Sequence, residues 1–134
     1  MRVRYAETDQ MGIVYYANYL IFFEVARADW LRSGGWSYRE MEKEGLSLPV
    51  VEAHCTYRQP ARYDDDLEVT ANGELLSPVR VQFNYEITRQ GDRTILASGH
   101  TVHAALDAAG RPRRLPDRVR ELFAPGAPPV SRAR

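Results

Sequence analysis

The chain has 134 residues, 44% of them hydrophobic and 27% charged, which suits one soluble domain with a core of its own. Its 18 Lys and Arg residues balance its 18 Asp and Glu residues, so no overall field draws in nucleic acid or an anionic membrane, and any anion recognition must be local. Cys55 is the single cysteine, which excludes an intrachain disulfide and a cysteine-based metal cluster.

Residues Arg2 to Thr8 alternate loosely around Val3 and Tyr5 and predict a short first strand. Because the chain enters this pattern directly after Met1, no secretory leader is expected, and the expected location is cytoplasmic. A turn over Asp9–Gly12 follows, with Gly12 where a positive φ would be tolerated. Ala17 to Ser33 reads as a helix stopped by Gly34-Gly35. Tyr19, Phe22, Phe23, Ala26 and Trp30 fall on one arc of it, and Leu20, Ile21, Val25 and Leu31 widen the apolar surface. A helix this apolar on so many sides is expected to be wrapped by a sheet.

Ser37-Tyr38-Arg39-Glu40 is a capping box opening a short polar helix that ends near Gly45. The period then changes to two. Strands are predicted over Leu48–Gln59, Leu67–Leu76, Val79–Arg89 and Arg93–Leu106, with Val79, Val81, Phe83, Tyr85 and Ile87 forming the cleanest single face. A short helix from about Pro116 to Phe123 closes the fold, and residues 125–134 read as a flexible tail. One helix followed by an antiparallel meander is an α+β arrangement in which a sheet face covers the helix.

The richest stretch for chemistry is Tyr5 to Tyr19, which contains Asp9-Gln10-Met11-Gly12-Ile13-Val14-Tyr15-Tyr16-Ala17-Asn18-Tyr19. It sets one carboxylate, Asp9, in a turn just ahead of a helix start. Such a start is electropositive and carries N–H groups without intrahelical partners. An acid facing it can attack a carbonyl or activate water while the N–H groups hold the oxygen. Asp-x-x-Gly on its own is more often a plain turn, its side chain bonded to nearby backbone.

The same words resemble the opening motif of the 4-hydroxybenzoyl-CoA thioesterase and Tol-Pal-associated thioesterase group of the hotdog-fold superfamily, and Pro60-Ala61-Arg62 with Asp64-Asp65 resembles a second segment of it. Over about residues 1–120 the resemblance implies a single hotdog domain (here 1–124), its antiparallel sheet wrapped around a long central helix. It implies Asp9 as nucleophile or general base, the Tyr16 backbone N–H as oxyanion donor, and Gly12, Ile13, Val14 and Tyr15 at the substrate. In the Tol-Pal-associated branch a histidine often stands where this chain has Tyr16, and a tyrosine, with its ordinary pKa near 10, is a poor base at neutral pH. The expected substrate is an acyl-CoA, with its acyl group against aromatics such as Tyr15, Phe22, Phe23 and Tyr57. Coenzyme A is then part of the substrate, and no cofactor or metal is expected. The resemblance further implies a homodimer assembling into a homotetramer, with sites between subunits. The unprotected pattern of Val79–Arg89 agrees with a sheet edge open to pairing.

Other residues carry less. Glu24 lies two turns into the helix, as a second acid or as the partner of Arg27. Arg62 and Arg80 are candidates for the coenzyme A phosphates, as are the crowded Arg111, Arg113, Arg114, Arg118 and Arg120, whose plainer role is a solvated face. Asp64-Asp65-Asp66 lacks companions at ligand spacing and reads as a solvated turn. His100 and His103 fall on opposite faces of their strand, which removes the simplest zinc pair. No serine elbow, dinucleotide fingerprint or Walker loop is present. The lead expectation is acyl-CoA hydrolysis; the alternative is a non-catalytic module that binds acyl-CoA or an acyl carrier protein.

Overall fold

The computed structural model describes residues 1–124 and the backbone of Ser131–Ala133. Its elements are α1 (Asn18–Ser33), α2 (Tyr38–Lys43), β1 (Val50–Tyr57), β2 (Leu67–Ser77), β3 (Arg80–Arg89), β4 (Ile95–Ala104), α3 (Asp117–Phe123) and β5 (Ser131–Ala133). The antiparallel sheet has the order β1-β4-β3-β2-β5. No described helix is long and apolar enough to cross a membrane.

Alternation decides which sheet face is the core. In β3, Val81, Phe83, Tyr85 and Ile87 are buried, and β2 adds Leu67, Val69 and Ala71 from the same side. The helix α1 lies on this face with Tyr19, Phe22, Phe23, Ala26, Trp30 and Leu31 inward. Phe23 stacks on Tyr85 with ring centroids 4.4 Å apart, and Trp30, Phe83 and Phe123 meet edge to face or tilted. Close approach needs glycine at two places. A side chain at Gly73 would meet the Phe123 ring at 2.7 Å, and one at Gly99 would run into the His54 carbonyl.

A directed polar chain crosses this core. Arg27 donates to the Tyr38 and Tyr85 hydroxyls (2.7 and 3.1 Å), Tyr85 lies 2.6 Å from Thr101 Oγ1, and Thr101 Oγ1 lies 2.8 Å from His103 Nε2. The Leu48 carbonyl can only accept, so His103 donates from Nδ1 and accepts at Nε2. Burial, opposed by the Leu48 bond and assisted by the Arg27 charge, pushes the His103 pKa down to about 4.

Four expectations change. Arg2–Thr8 forms no strand: it makes isolated bridges at Arg2 and Thr8 around a 3-10 turn at Tyr5–Glu7, and Tyr5 is exposed. The strands after α2 are not a simple meander, because β1 pairs with β4 rather than β2. The segment between β1 and β2 crosses the start of α1 instead, where the Ala61 N–H donates to the Tyr19 hydroxyl at 3.0 Å. An edge of the sheet is therefore β1, while β3, within Val79–Arg89, lies inside it. Finally, α1 is covered on one side only: Leu20, Ile21 and Val25 are exposed, as are Val50 and Val51 of β1. Within one chain the sheet covers one side of the helix and leaves that apolar strip open. Of the expected tail, 125–130 and 134 lie outside the described residues, and Ser131–Ala133 pairs with β2.

Candidate active site

The Asp9 turn is built by local chemistry. The Asp9 N–H donates to the Ile13 carbonyl (2.9 Å) and the Gly12 N–H to the Asp9 carbonyl (3.1 Å), closing the loop between the bridged residues Thr8 and Val14. Gly12 sits at φ +79°, where its missing Cβ removes the steric cost. Asp9 Oδ1 accepts from the Met11 N–H at 2.8 Å, the plain turn arrangement that Asp-x-x-Gly suggests. That bond engages one carboxylate oxygen. The side chain nevertheless lines a cavity of about 330 Å³ whose wall includes Ile13, Val14, Tyr16, Tyr19 and Tyr57.

The start of α1 borders the same cavity. Ala17, at the cap position, has no side-chain oxygen to satisfy the first turn, whereas the Ser37 hydroxyl at the start of α2 accepts from the Glu40 N–H. Asn18, the first residue of α1, turns away: its Nδ2 donates to the Glu7 carbonyl at 2.9 Å, which also takes the Tyr15 N–H. Among the described residues, neither the Tyr16 nor the Ala17 N–H has a hydrogen-bond acceptor. The apolar cavity is thus lined by Asp9 and by Tyr16, whose N–H is open just ahead of a positive helix end, a pairing able to bind a polarised carbonyl group.

The remaining expected residues are distributed unevenly. Tyr15 is exposed and leans on Tyr16 (ring centroids 4.8 Å apart) without lining the cavity. Phe22 and Phe23 are fully buried in the core; of the expected aromatics Tyr57 lines the cavity, joined by Tyr16 and Tyr19. Arg62 is bridged to Ile13, with its side chain exposed. Arg80 pairs with Ala104, whereas Tyr57 pairs with Ala97, so along β4 Arg80 sits about 20 Å from the cavity end of the sheet. Within one chain the two are not brought together.

Glu24 lies 3.9 Å from Arg27 and lines other cavities, one of about 380 Å³ beside α2 and one of about 270 Å³ against β1. Arg113 and Arg118 hold Glu44, with Arg118 also over the Trp36 ring, and Arg120 holds Asp117. Asp64, Asp65 and Asp66 diverge to Arg2, Arg89 and the N-terminal amine. Among the described residues no cluster of His, Cys, Asp or Glu could hold a metal. Burial pushes the Cys55 thiol up, away from nucleophilic use. Tyr57 is the group that sequence reasoning placed only as a wall. Its hydroxyl donates to the Tyr16 carbonyl at 2.9 Å, a contact between residues 41 apart that no local pattern announces.

A family model described as the thioesterase-like superfamily matches residues 3–123. The chain belongs to that superfamily. Its fold is accordingly the hotdog thioesterase fold, an antiparallel sheet with helices packed on it. An Aquifex aeolicus structure superposes with a TM-score of 0.86 at 35% identity, covering 92% of this chain and 96% of that one. The acyl-CoA thioester hydrolase YbgC of Escherichia coli O6:H1 is 30% identical over 89% of each chain. The 1,4-dihydroxy-2-naphthoyl-CoA hydrolase of Thermosynechococcus vestitus is 35% identical over 83% of this chain and 76% of its own length.

Proposed function

We propose that this protein is a cytoplasmic acyl-CoA thioesterase, hydrolysing a thioester to the free acid and coenzyme A without cofactor or metal. The observation that carries the reading is one cavity bordered both by the Asp9 carboxylate and by the uncapped start of α1. The Met11 N–H holds Oδ1 and leaves the second oxygen for chemistry. In one route that oxygen attacks the thioester carbonyl carbon, the C–S bond breaks, the thiolate leaves as coenzyme A, and water hydrolyses the resulting anhydride. In the other it takes a proton from the water that attacks. Either way the Tyr16 N–H receives the developing oxyanion, and an ordinary thiolate leaving group needs little further help. The apolar, tyrosine-lined wall favours an aromatic acyl group, in keeping with the naphthoyl substrate named for the Thermosynechococcus relative. Ile13 and Val14 meet the substrate in the cavity beside Asp9, with Gly12 and Tyr15 flanking them in the chain.

The working form is proposed to be a homodimer within a homotetramer, its sites between subunits. Support comes from the open edge of β1 and the exposed Leu20, Ile21 and Val25 beside it. Arg62, bridged to Ile13, is the proposed contact for a coenzyme A phosphate; Arg80 could serve a site only from a neighbouring subunit. A sedimentation mass of one chain at micromolar concentration would refute the assembly.

The deciding experiment is free-thiol release from aromatic and from short to long aliphatic acyl-CoAs, for wild type beside Asp9→Asn. Turnover of an aromatic thioester that collapses in the variant is expected. The bond from Met11 to Asp9 also suits a structural turn, and so favours as second reading a module that binds acyl-CoA or an acyl carrier protein without turnover. Binding of acyl-CoA with no thiol release, unaffected by Asp9→Asn, would select it.

A further inference from the structure

The thioesterase reading leaves a mechanical question at the start of α1. The proposed oxyanion donor, the Tyr16 N–H, and the open Ala17 N–H beside it belong to residues that packing does not fix: Tyr16 is 62% exposed and Ala17 has no side chain with which to cap. The chain before and after them is tied to the Glu7 carbonyl, by the Tyr15 N–H and by Asn18 Nδ2, both at 2.9 Å. The Tyr16–Ala17 peptide between these ties is held in the helix only by a stretched first-turn bond, the Tyr19 N–H reaching the Tyr16 carbonyl at 3.4 Å.

One further group reaches that carbonyl. Tyr57 ends β1, is paired there with Ala97 of β4, and sends its hydroxyl to the Tyr16 oxygen at 2.9 Å. A carbonyl can only accept, so the hydroxyl is the donor. The Tyr57 ring is itself fixed, edge-on to Tyr19 with centroids 5.0 Å apart at 81°, and Tyr19 is buried with its hydroxyl on the Ala61 N–H. The Tyr16 carbonyl and the Ala17 N–H share one rigid peptide plane, so a bond that holds the oxygen also sets where the N–H points. The Tyr16 N–H lies in the preceding peptide plane and is joined to the held plane through the Tyr16 Cα.

We infer that Tyr57 is a positioning residue of the thioesterase site: its hydroxyl ties the Tyr16 carbonyl to the sheet and thereby aims the Ala17 N–H, next to the open Tyr16 N–H, at the thioester oxygen. The inference rests on the hydrolase reading above and adds to it a part supplied by the strand rather than by the Asp9 motif. Burial, with the neighbouring Cys55 next, pushes the Tyr57 pKa up to about 12, so the hydroxyl keeps its proton across the working range. With that proton engaged on Tyr16, Tyr57 supplies no acid to the leaving group.

The test is Tyr57→Phe, which keeps the ring against Tyr19 and removes only the donor. On the best acyl-CoA, kcat should fall about tenfold with KM within about twofold, the pattern of an interaction realised in the transition state. In the same variant the Tyr16 carbonyl ¹³C resonance, read through the Ala17 amide, should move upfield on losing its hydrogen bond, with the thermal midpoint little changed. A raised KM at constant kcat would make Tyr57 a wall and overturn the inference, as would an unmoved carbonyl resonance. A wild-type protein silent on every acyl-CoA would instead sink the hydrolase reading. The carbonyl shift would then still decide whether Tyr57 holds the helix start.

Discussion

The two ends of α1 are finished differently. At its C-terminal end Trp30 packs on Phe83 and Phe123, and the Gly34 N–H closes on the Trp30 and Leu31 carbonyls. The Trp30, Leu31 and Arg32 carbonyls there are paired, and Trp30, Leu31 and Trp36 are buried. At its N-terminal end the cap residue is alanine, two N–H groups are open, and the neighbouring tyrosines 15 and 16 face solvent. A protein needs only one such unfinished end to bind a polarised group, and it can leave that end unfinished only where the rest of the helix is anchored firmly. Stability and chemistry are thus separated along one element.

That separation can be broken from either side. Asp9→Asn should have the largest consequence, a fall in turnover of about 10³-fold or more, with the urea midpoint unchanged. A matching loss of stability would mean that Asp9 is chiefly a turn former. Phe123→Ala should do the converse, costing about 3–4 kcal/mol in urea unfolding while activity per folded molecule is retained. An activity loss exceeding the unfolded fraction would show that the two ends communicate.

Acid tests the packed side through His103. Its pKa in the folded chain lies below the ordinary 6.5, at about 4, so the unfolded chain binds more protons between those values. The stability it contributes is therefore complete above pH 6.5 and is lost as pH falls toward 4, amounting to about 2–3 kcal/mol. Urea titrations at pH 7 and pH 4.5 should show that slope in wild type and a shallower one in His103→Gln; equal slopes would remove His103 as the cause. The smallest expected effect is at the turn. Gly12→Ala places a Cβ at φ +79° and should cost about 1 kcal/mol, visible as a lowered thermal midpoint.

Some of this was legible before any coordinates. Helical periodicity named the buried arc Tyr19, Phe22, Phe23, Ala26 and Trp30, and alternation named Val81, Phe83, Tyr85 and Ile87. The Ser37 cap and the positive φ at Gly12 followed from single residues. Arg2–Thr8 misled because alternation over so few residues cannot distinguish a strand from an extended strap, and the chain coils into a 3-10 turn at Tyr5. The far-off position of Arg80 was illegible for another reason: charge marks a residue type, not its distance from Asp9.

The sequence by itself determined where the three helices and β1 to β4 run, which of their faces are apolar, and that an acid precedes a helix start. Those features repeat every two or 3.6 residues or reside in one turn, so neighbours along the chain are enough to specify them. Only the tertiary structure decided that β1 pairs with β4 and leaves an open edge, that Arg27 joins His103 through two hydroxyls, and that Tyr57 reaches the Tyr16 carbonyl. Each of these joins residues far apart in sequence through closure of the whole fold, and closure depends on packing among all the elements at once.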